Sequence, residues 1–324
     1  MIVVTGGAGF IGSALVHGLN KKGMKQIWVV DQIDHPEKQE NLTPLLFDKL
    51  ISKDDFLNNI LENKLPCCDA ILHMGACSST TETNEAFLNK NNFEYTRHLS
   101  IFCLERDIRF IYASSAATYG AGENGYSDDE SRLKLFQPLN LYGDSKQKFD
   151  LWAQTQGVLE KIVGLKYFNV YGPNEYHKQE MQSMVRKGFM QIRDTGKICL
   201  FKSYKSEYAD GNQERDFLYI NDAVAMTLLF LERQEIGGIF NVGSGKARNW
   251  NDLARALFTA MNKPEKIEYI DMPEEIKDQY QYHTCSETEK IQQAGFSETV
   301  MSLEEGITDY VEQYLVPDRH LGAV

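Results

Sequence analysis

No run of apolar residues in this 324-residue chain approaches the roughly 18 that a membrane-spanning helix needs, so no such helix is expected. The opening residues Met1-Ile2-Val3-Val4 already read as a strand. That leaves no room for a signal peptide ahead of the fold, and a cytoplasmic location is expected. Cysteine is scarce, at six residues, and none forms a Cys-x-x-Cys pair. Cys67 and Cys68 are adjacent and cannot easily share one tetrahedral ion. With Cys77, Cys103, Cys199 and Cys285 they are expected to be reduced, buried or half-buried thiols. His17, His73, His98, His283 and His320 fall in no metal-ligand spacing and read as structural, so no metal is expected. Positive charge is also short: 34 Lys and Arg face 46 Asp and Glu, a net charge of −12. This argues against nucleic-acid partners and against an anionic membrane surface. A polyanionic substrate would need local cations. Internal repeats and low-complexity tracts are absent.

What is present is an ordinary globular composition, 42% apolar and 25% charged, with a regular alternation of elements. Short β-branched runs at Ile2 to Thr5, Ile27 to Asp31, Ala70 to Met74, Phe110 to Ser114 and Ile162 to Tyr167 read as strands. Amphipathic stretches such as Ser13 to Lys22 and Tyr142 to Gln156 lie between them, the second with Tyr142, Lys146, Phe149 and Leu151 or Trp152 at helical spacing. A further run, Gly238 to Val242, is expected to return to the same sheet. The pattern predicts an α/β fold, a Rossmann-type doubly wound parallel sheet. After about residue 169 strands thin out and polar loops such as Ser203 to Gln213 appear. The expected division is a dinucleotide-binding domain from 1–168 plus about 216–244, and a smaller α+β substrate-binding domain from about 169–215 plus 245–324.

The first strand runs into Gly6-x-x-Gly9-Phe10-Ile11-Gly12. Glycines there allow positive φ and close approach of backbone N–H groups to a pyrophosphate at a helix N-terminus. An ordinary tight turn is the competing reading, but the strand context and Asp31, nineteen residues after Gly12, favour a dinucleotide. Asp31, followed by Gln32, would accept from ribose hydroxyls and favour NAD, whereas His35, Lys38 and Lys53 would gather round a 2′-phosphate. The residues alone leave that choice open. Met74-Gly75-Ala76-Cys77-Ser78 follows the third predicted strand with small residues against which a cofactor can lie. Asn91 or Asn92 would support the same region.

Ser114 and Ser115 close the fourth predicted strand at the sheet edge where open α/β folds place their sites. Tyr142 and Lys146 follow, one helical turn apart. A free phenol, with a pKa near 10, is too weakly acidic for an efficient base, and Lys146 would favour the phenolate while reaching the nicotinamide ribose. Ser115 would donate to the substrate oxygen while Tyr142 exchanges the proton. Lys178, after the turn Phe168 to Pro173 and next to His177, reads as a surface lysine or as a second base for an epimerase that works on both faces of a carbon. Arg215, with Lys202 and Lys205 near it in sequence, suits a diphosphate; a salt bridge with Asp216 or Glu214 is the competing reading.

With these residues in place, the chain resembles the extended short-chain dehydrogenase/reductase superfamily from end to end, and within it the ADP-glycero-manno-heptose 6-epimerases. The resemblance rests on Gly75-Ala76-Cys77-Ser78-Ser79-Thr80-Thr81-Glu82, on Tyr112 to Gly120, and on Tyr167 to Pro173 with His177-Lys178. It implies NADP rather than NAD, with Lys38 and Lys53 at the 2′-phosphate and cofactor contacts that include Phe10, Ile11, Gln32, Asn91, Val170 and Lys178. It implies inversion at carbon six of an ADP-linked heptose of the lipopolysaccharide inner core, by transient oxidation to a 6-keto sugar and hydride return. Tyr142 and Lys178 would be the two acid/base groups, with Ser115 and Lys146 in support. Asn169, Phe201, Lys202, Ser203, Tyr204, Arg215 and Tyr280 match positions that hold the ADP-sugar. The chain departs from the pattern at Glu180 and Lys187, which stand where a small polar residue and a histidine are expected at substrate contacts, and in a longer Lys205 to Gln213 loop. The resemblance also implies a homo-oligomer, pentamers included.

Two other readings remain. A 4,6-dehydratase needs an acid pair beside the strand-end serine, where this chain has Ala116 and Ala117; a 4-epimerase needs no second base. A nucleotide-sensing protein with a dead site would lack Tyr142 or Lys146.

Overall fold

Among the described residues twelve strands emerge, most of them from the β-branched and aromatic runs: β1 (Ile2–Thr5), β2 (Ile27–Val30), β3 (Lys49–Ile51), β4 (Ala70–His73), β5 (Arg109–Ser115), β6 (Val163–Tyr167), β7 (Asn169–Tyr171), β8 (Ile198–Phe201), β9 (Glu214–Tyr219), β10 (Gly238–Val242), β11 (Ala247–Asn249) and β12 (Ile267–Ile270). The structure, a computed structural model, describes residues 1–277 and 280–323. Seven strands form one parallel sheet in the order β10-β6-β5-β4-β1-β2-β3. Consecutive side chains feed opposite cores, as the two-residue period of a strand requires. Val4, Leu72 and Ile111 join Leu15 and Leu19 on one face, and Val3, Ile71 and Phe110 join Phe102 and Phe149 on the other. Burial on both faces is why these strands read as continuous apolar runs.

From β1 the chain builds outward through β2 and β3, then crosses back to β4, β5, β6 and β10. The reversal falls between β1 and β4, and the crevice at their C-terminal ends is where an open α/β sheet binds ligand. β9 pairs in parallel with β7 and antiparallel with β11 in a separate three-stranded sheet. β12 pairs with β8. Helix Ile220–Glu232 then packs beside helix Phe10–Lys21 and leads into β10.

The expected strands and helices are present with shifted ends. Asp31 and Met74 lie just beyond β2 and β4, and the first helix begins at Phe10 rather than Ser13, with Gly9 as its N-cap. β3, β8, β11 and β12 were not expected, the last three lying where strands were expected to thin out; β3 has three residues, its first two side chains are exposed, and one is a lysine suited to a sheet edge. A π-helical turn over Asn89–Glu94 interrupts the helical run Glu85–Glu105.

His73, at the end of β4, is sealed between Thr5 Oγ1 at 2.6 Å and Thr96 Oγ1 at 2.9 Å. Burial, and then the Lys146 charge, lower its pKa to about 3. Unfolded His73 takes up a proton below about 6.5, so its contribution to stability is complete above that pH and is lost as pH falls towards 3. His73→Leu should cost about 1–3 kcal/mol at neutral pH by leaving the buried Thr5 hydroxyl without an acceptor and taking a donor from Thr96, which keeps its bond to the Asn92 carbonyl. Urea melts should also show a shallower loss of stability than wild type between pH 6.5 and 4.

Candidate functional site

The loop between β1 and the first helix has no room for side chains. Gly6 has a φ of 65°, and a Cβ there would sit 2.7 Å from the backbone of Gly75. A Cβ on Gly12 would lie 2.0 Å from the Gly6 carbonyl oxygen. The loop is thereby held tight against β4 at the head of helix Phe10–Lys21, with the Gly6 and Gly9 N–H groups bonded to the Val30 and Gly6 carbonyls, and a helix N-terminus of this kind suits a pyrophosphate. Met74, Gly75, Ala76 and Cys77 run beside it, half-buried, with Ser78 exposed. The Cys77 backbone is bracketed by Asn92, whose Oδ1 accepts from its N–H at 2.8 Å and whose Nδ2 donates to its carbonyl at 3.0 Å.

Asp31 closes this cradle by accepting from the Ala8 N–H at 3.0 Å and the Gln32 N–H at 2.7 Å. Lys38 Nζ reaches Asp31 at 3.2 Å, Asp34 at 2.9 Å and the Gln32 carbonyl at 3.0 Å. Burial acts to lower the Lys38 pKa, but the two carboxylates outweigh it and the net direction is upward. Lys53 donates to Asn91 Oδ1 at 2.7 Å. Lys38 and Lys53 thus stand beside Asp31 and Asn91, and Lys38 is shared with two carboxylates.

On the other side of the crevice, β5 delivers Ser115 and the helix Leu141–Thr155, capped by Asn140 at the Gly143 N–H, delivers Tyr142. Burial raises the Tyr142 pKa, opposed by its hydrogen bond with Ser115 and reinforced by Cys77. The expected help from Lys146 takes another form here. Its amine donates to the Ala113 carbonyl at 2.7 Å rather than to the phenol. Burial lowers its pKa to about 8, with Asp150 and Cys77 acting to raise it.

Lys178 is brought to the same crevice from far along the chain, with Nζ 5.4 Å from the ring centre of Phe10. Asn41 holds this loop to the cradle, its Nδ2 donating to the carbonyls of Ala8 at 3.0 Å and Asn174 at 3.1 Å. Asn174 in turn donates to Ser13 Oγ at 2.9 Å. Burial depresses the Lys178 amine, with Glu175 opposing. His177 is held neutral, its pKa lowered to about 4 first by burial and then by Lys38 and Lys178. Next to Lys178, Gln179 has a φ of 46°, a strained conformation for a non-glycine residue.

Arg215 is buried without a carboxylate partner among the described residues. Asp216 is saturated by Ser244, Gly245 and Ser286, and Glu214 pairs with His283 at 2.8 Å, so the competing salt bridge does not form. Instead the guanidinium sits 5.5 Å from the Trp250 ring centre and 5.0 Å from that of Tyr280, donating to the Glu214 carbonyl at 2.7 Å. Trp250 was missed because it lies 35 residues beyond Arg215 in no motif. Phe201 packs edge-on to Tyr280, while the Ser203 and Tyr204 N–H groups are held by Asp210 and Tyr282. Lys202 and the Tyr204 hydroxyl both meet Asp271 at the surface. Asn169 is exposed and Val170 half-buried on β7. Glu180 and Lys187 pair with each other at 3.5 Å, with the Glu180 side chain 98% exposed.

This architecture, a glycine cradle facing a Ser-Tyr-Lys group, defines a dinucleotide-dependent enzyme of the short-chain dehydrogenase type. Residues 2–243 match the model of the NAD dependent epimerase/dehydratase family, to which the chain belongs. A protein of Nitratidesulfovibrio vulgaris named ADP-L-glycero-D-manno-heptose-6-epimerase is 49% identical over 99% of this chain and 100% of its own. The crystal structure of the Helicobacter pylori protein of that name superposes with a TM-score of 0.81 at 28% identity, covering 96% of this chain and 95% of that one. A UDP-glucuronic acid 4-epimerase of Bacillus cereus, solved with NAD, gives 0.77 at 26% identity over 96% and 99%. A nicotinamide dinucleotide fits the cradle described above.

Gly12→Ala should therefore weaken dinucleotide binding at least about tenfold, or ~1.4 kcal/mol, by titration calorimetry. Wild-type affinity in that variant would show that the loop is not the cradle.

Proposed function

We propose that the protein inverts carbon six of ADP-D-glycero-D-manno-heptose to the L-glycero isomer, supplying the heptose of the lipopolysaccharide inner core. The observation that carries this reading beyond the family is the arrival of a second, depressed amine, Lys178, at the cradle that faces Tyr142. An epimerase that oxidises and re-reduces an unactivated carbinol from opposite faces needs a proton-exchanging group on each. Bound nicotinamide supplies the hydride acceptor and donor. Tyr142 exchanges the proton of the carbon-six oxygen in one orientation, with Ser115 sharing the hydrogen bond, and Lys178 does so in the other. Burial lowers the Lys178 pKa from its ordinary value, with Glu175 opposing, the direction in which an amine becomes a better proton exchanger.

The caged guanidinium of Arg215 takes the diphosphate, since its fork matches phosphate geometry and no protein carboxylate among those described occupies it. Phe201, Tyr204 and Tyr280 line the approach. NADP is the cofactor this reading favours, with Lys38 and Lys53 at the 2′-phosphate. Lys38 must then share its charge between that phosphate and Asp31 and Asp34.

Incubation with ADP-D-glycero-D-manno-heptose, followed at carbon six by NMR without added cofactor, should give the L-glycero isomer; no conversion even with NADP supplied would refute the reading. Tyr142→Phe and Lys178→Met should each slow conversion at least about 10²-fold while the folded protein still binds dinucleotide. A 4-epimerase would keep its turnover in Lys178→Met. Arg215→Lys should raise the KM about tenfold or more with kcat little changed. An unchanged KM would take the diphosphate away from Arg215.

A further inference from the structure

Beneath Tyr142 and Lys146 lies a polar cluster that the reaction as described does not use. Asp150, one turn beyond Lys146 on the same helix, is fully buried. Its carboxylate accepts from the Tyr112 hydroxyl at 2.9 Å and the Ser114 hydroxyl at 2.7 Å. Lys166 Nζ, equally buried, pairs with it at 3.1 Å. Lys166 stands opposite Ser114 in the β5–β6 register, donates to Thr118 and lies 4.8 Å from the ring centre of Tyr119.

Stability does not explain such a cluster. Desolvating two charges is costly, and apolar residues of similar volume commonly serve as well or better. Geometry does explain it. Tyr112 and Ser114 flank Ala113, the residue whose carbonyl receives the Lys146 amine, and Ser115 is the next residue along. Two successive turns of the helix are thus bolted to one four-residue stretch of strand.

We propose that Asp150 is the positioning residue of this site, clamping the helix that carries Tyr142 and Lys146 to the strand that carries Ser115, with Lys166 as the counter-charge that keeps the clamp in place. Asp150 is also the carboxylate that faces Lys146 within this cluster. The other titratable groups around that amine are Tyr142 on its own helix, His73 on β4 and Cys77 in the loop after it; Lys166 on β6 faces Asp150, with Asp128 acting on Lys166 from beyond. Loss of the clamp therefore has two signatures, a misplaced phenol and an amine that gives up its proton at lower pH.

This inference rests on the reading of Tyr142 and Lys146 as the proton-handling pair, and it is tested with Asp150→Asn and Ser114→Ala. In Asp150→Asn, kcat per folded molecule should fall at least about tenfold with KM within about twofold. The NMR titration of the Lys146 ε-carbon should move about one pH unit lower. Ser114→Ala removes one bolt and leaves the ion pair, so it should lower kcat in the same direction by less, and it serves where Asp150→Asn fails to fold. A purely structural role would lower the yield of folded protein while leaving the folded fraction with its wild-type kcat and Lys146 titration. That result, in either variant, overturns the proposal. The ε-carbon titration needs no substrate, so it judges the clamp even if the protein proves inactive on the heptose, an outcome that would instead refute the proposed reaction.

Discussion

The constraint on which the site depends is the backbone contact between Gly6, leaving β1, and Gly75, just past β4, where a single methyl group would collide. The two strands are neighbours in the sheet but belong to opposite directions of winding, so the crevice between their ends opens here. Everything placed at the site is referred to this contact. Asp31 ties the glycine loop to the end of β2, Asn92 fixes the segment after Gly75, and His73 locks β4 to β1 through Thr5. A buried, neutral imidazole at that joint makes the dinucleotide cradle stiff before any ligand arrives.

Two further devices bring chemistry to the cradle from distant sequence. Asn41 and Asn174 staple the His177-Lys178 loop onto the glycine loop and the helix after it using amide groups. Asp150 and Lys166 do the corresponding work under Tyr142 and Lys146, at the cost of burying a pair of charges. Arg215 is handled differently again, caged by aromatic rings and without a carboxylate partner among the described residues. In a chain with a net charge of −12, this guanidinium is the local positive charge that the proposed diphosphate site requires.

The parts of this arrangement legible in the sequence are those with a local cause. β-branched runs buried on both faces announce β1, β2, β4, β5, β6 and β10. Gly6, Gly9 and Gly12 announce the turn, and the spacing of Tyr142 and Lys146 needs only helical periodicity. β3 escaped notice because a three-residue edge strand carries almost no pattern. The partner of Lys146 was also out of reach. A Tyr-Lys spacing suggests an amine beside a phenol, whereas the amine settles on Ala113, whose carbonyl only the β5 register brings near. Trp250, Asn41, Asn174 and Asp150 share that limit, since each matters through a contact made by the tertiary fold. Glu180 and Lys187, placed by resemblance near the substrate, meet each other at the surface.

The central claim is that the hydrogen at carbon six leaves as a hydride and returns to the same molecule on the opposite face. The most direct measurement is conversion of ADP-D-glycero-D-manno-heptose deuterated at carbon six, in ordinary water, with the product read by NMR and mass spectrometry. The account predicts an L-glycero product that keeps its deuterium at carbon six. Replacement of that deuterium by solvent hydrogen would mean that the carbon is inverted by proton abstraction, and would contradict the account.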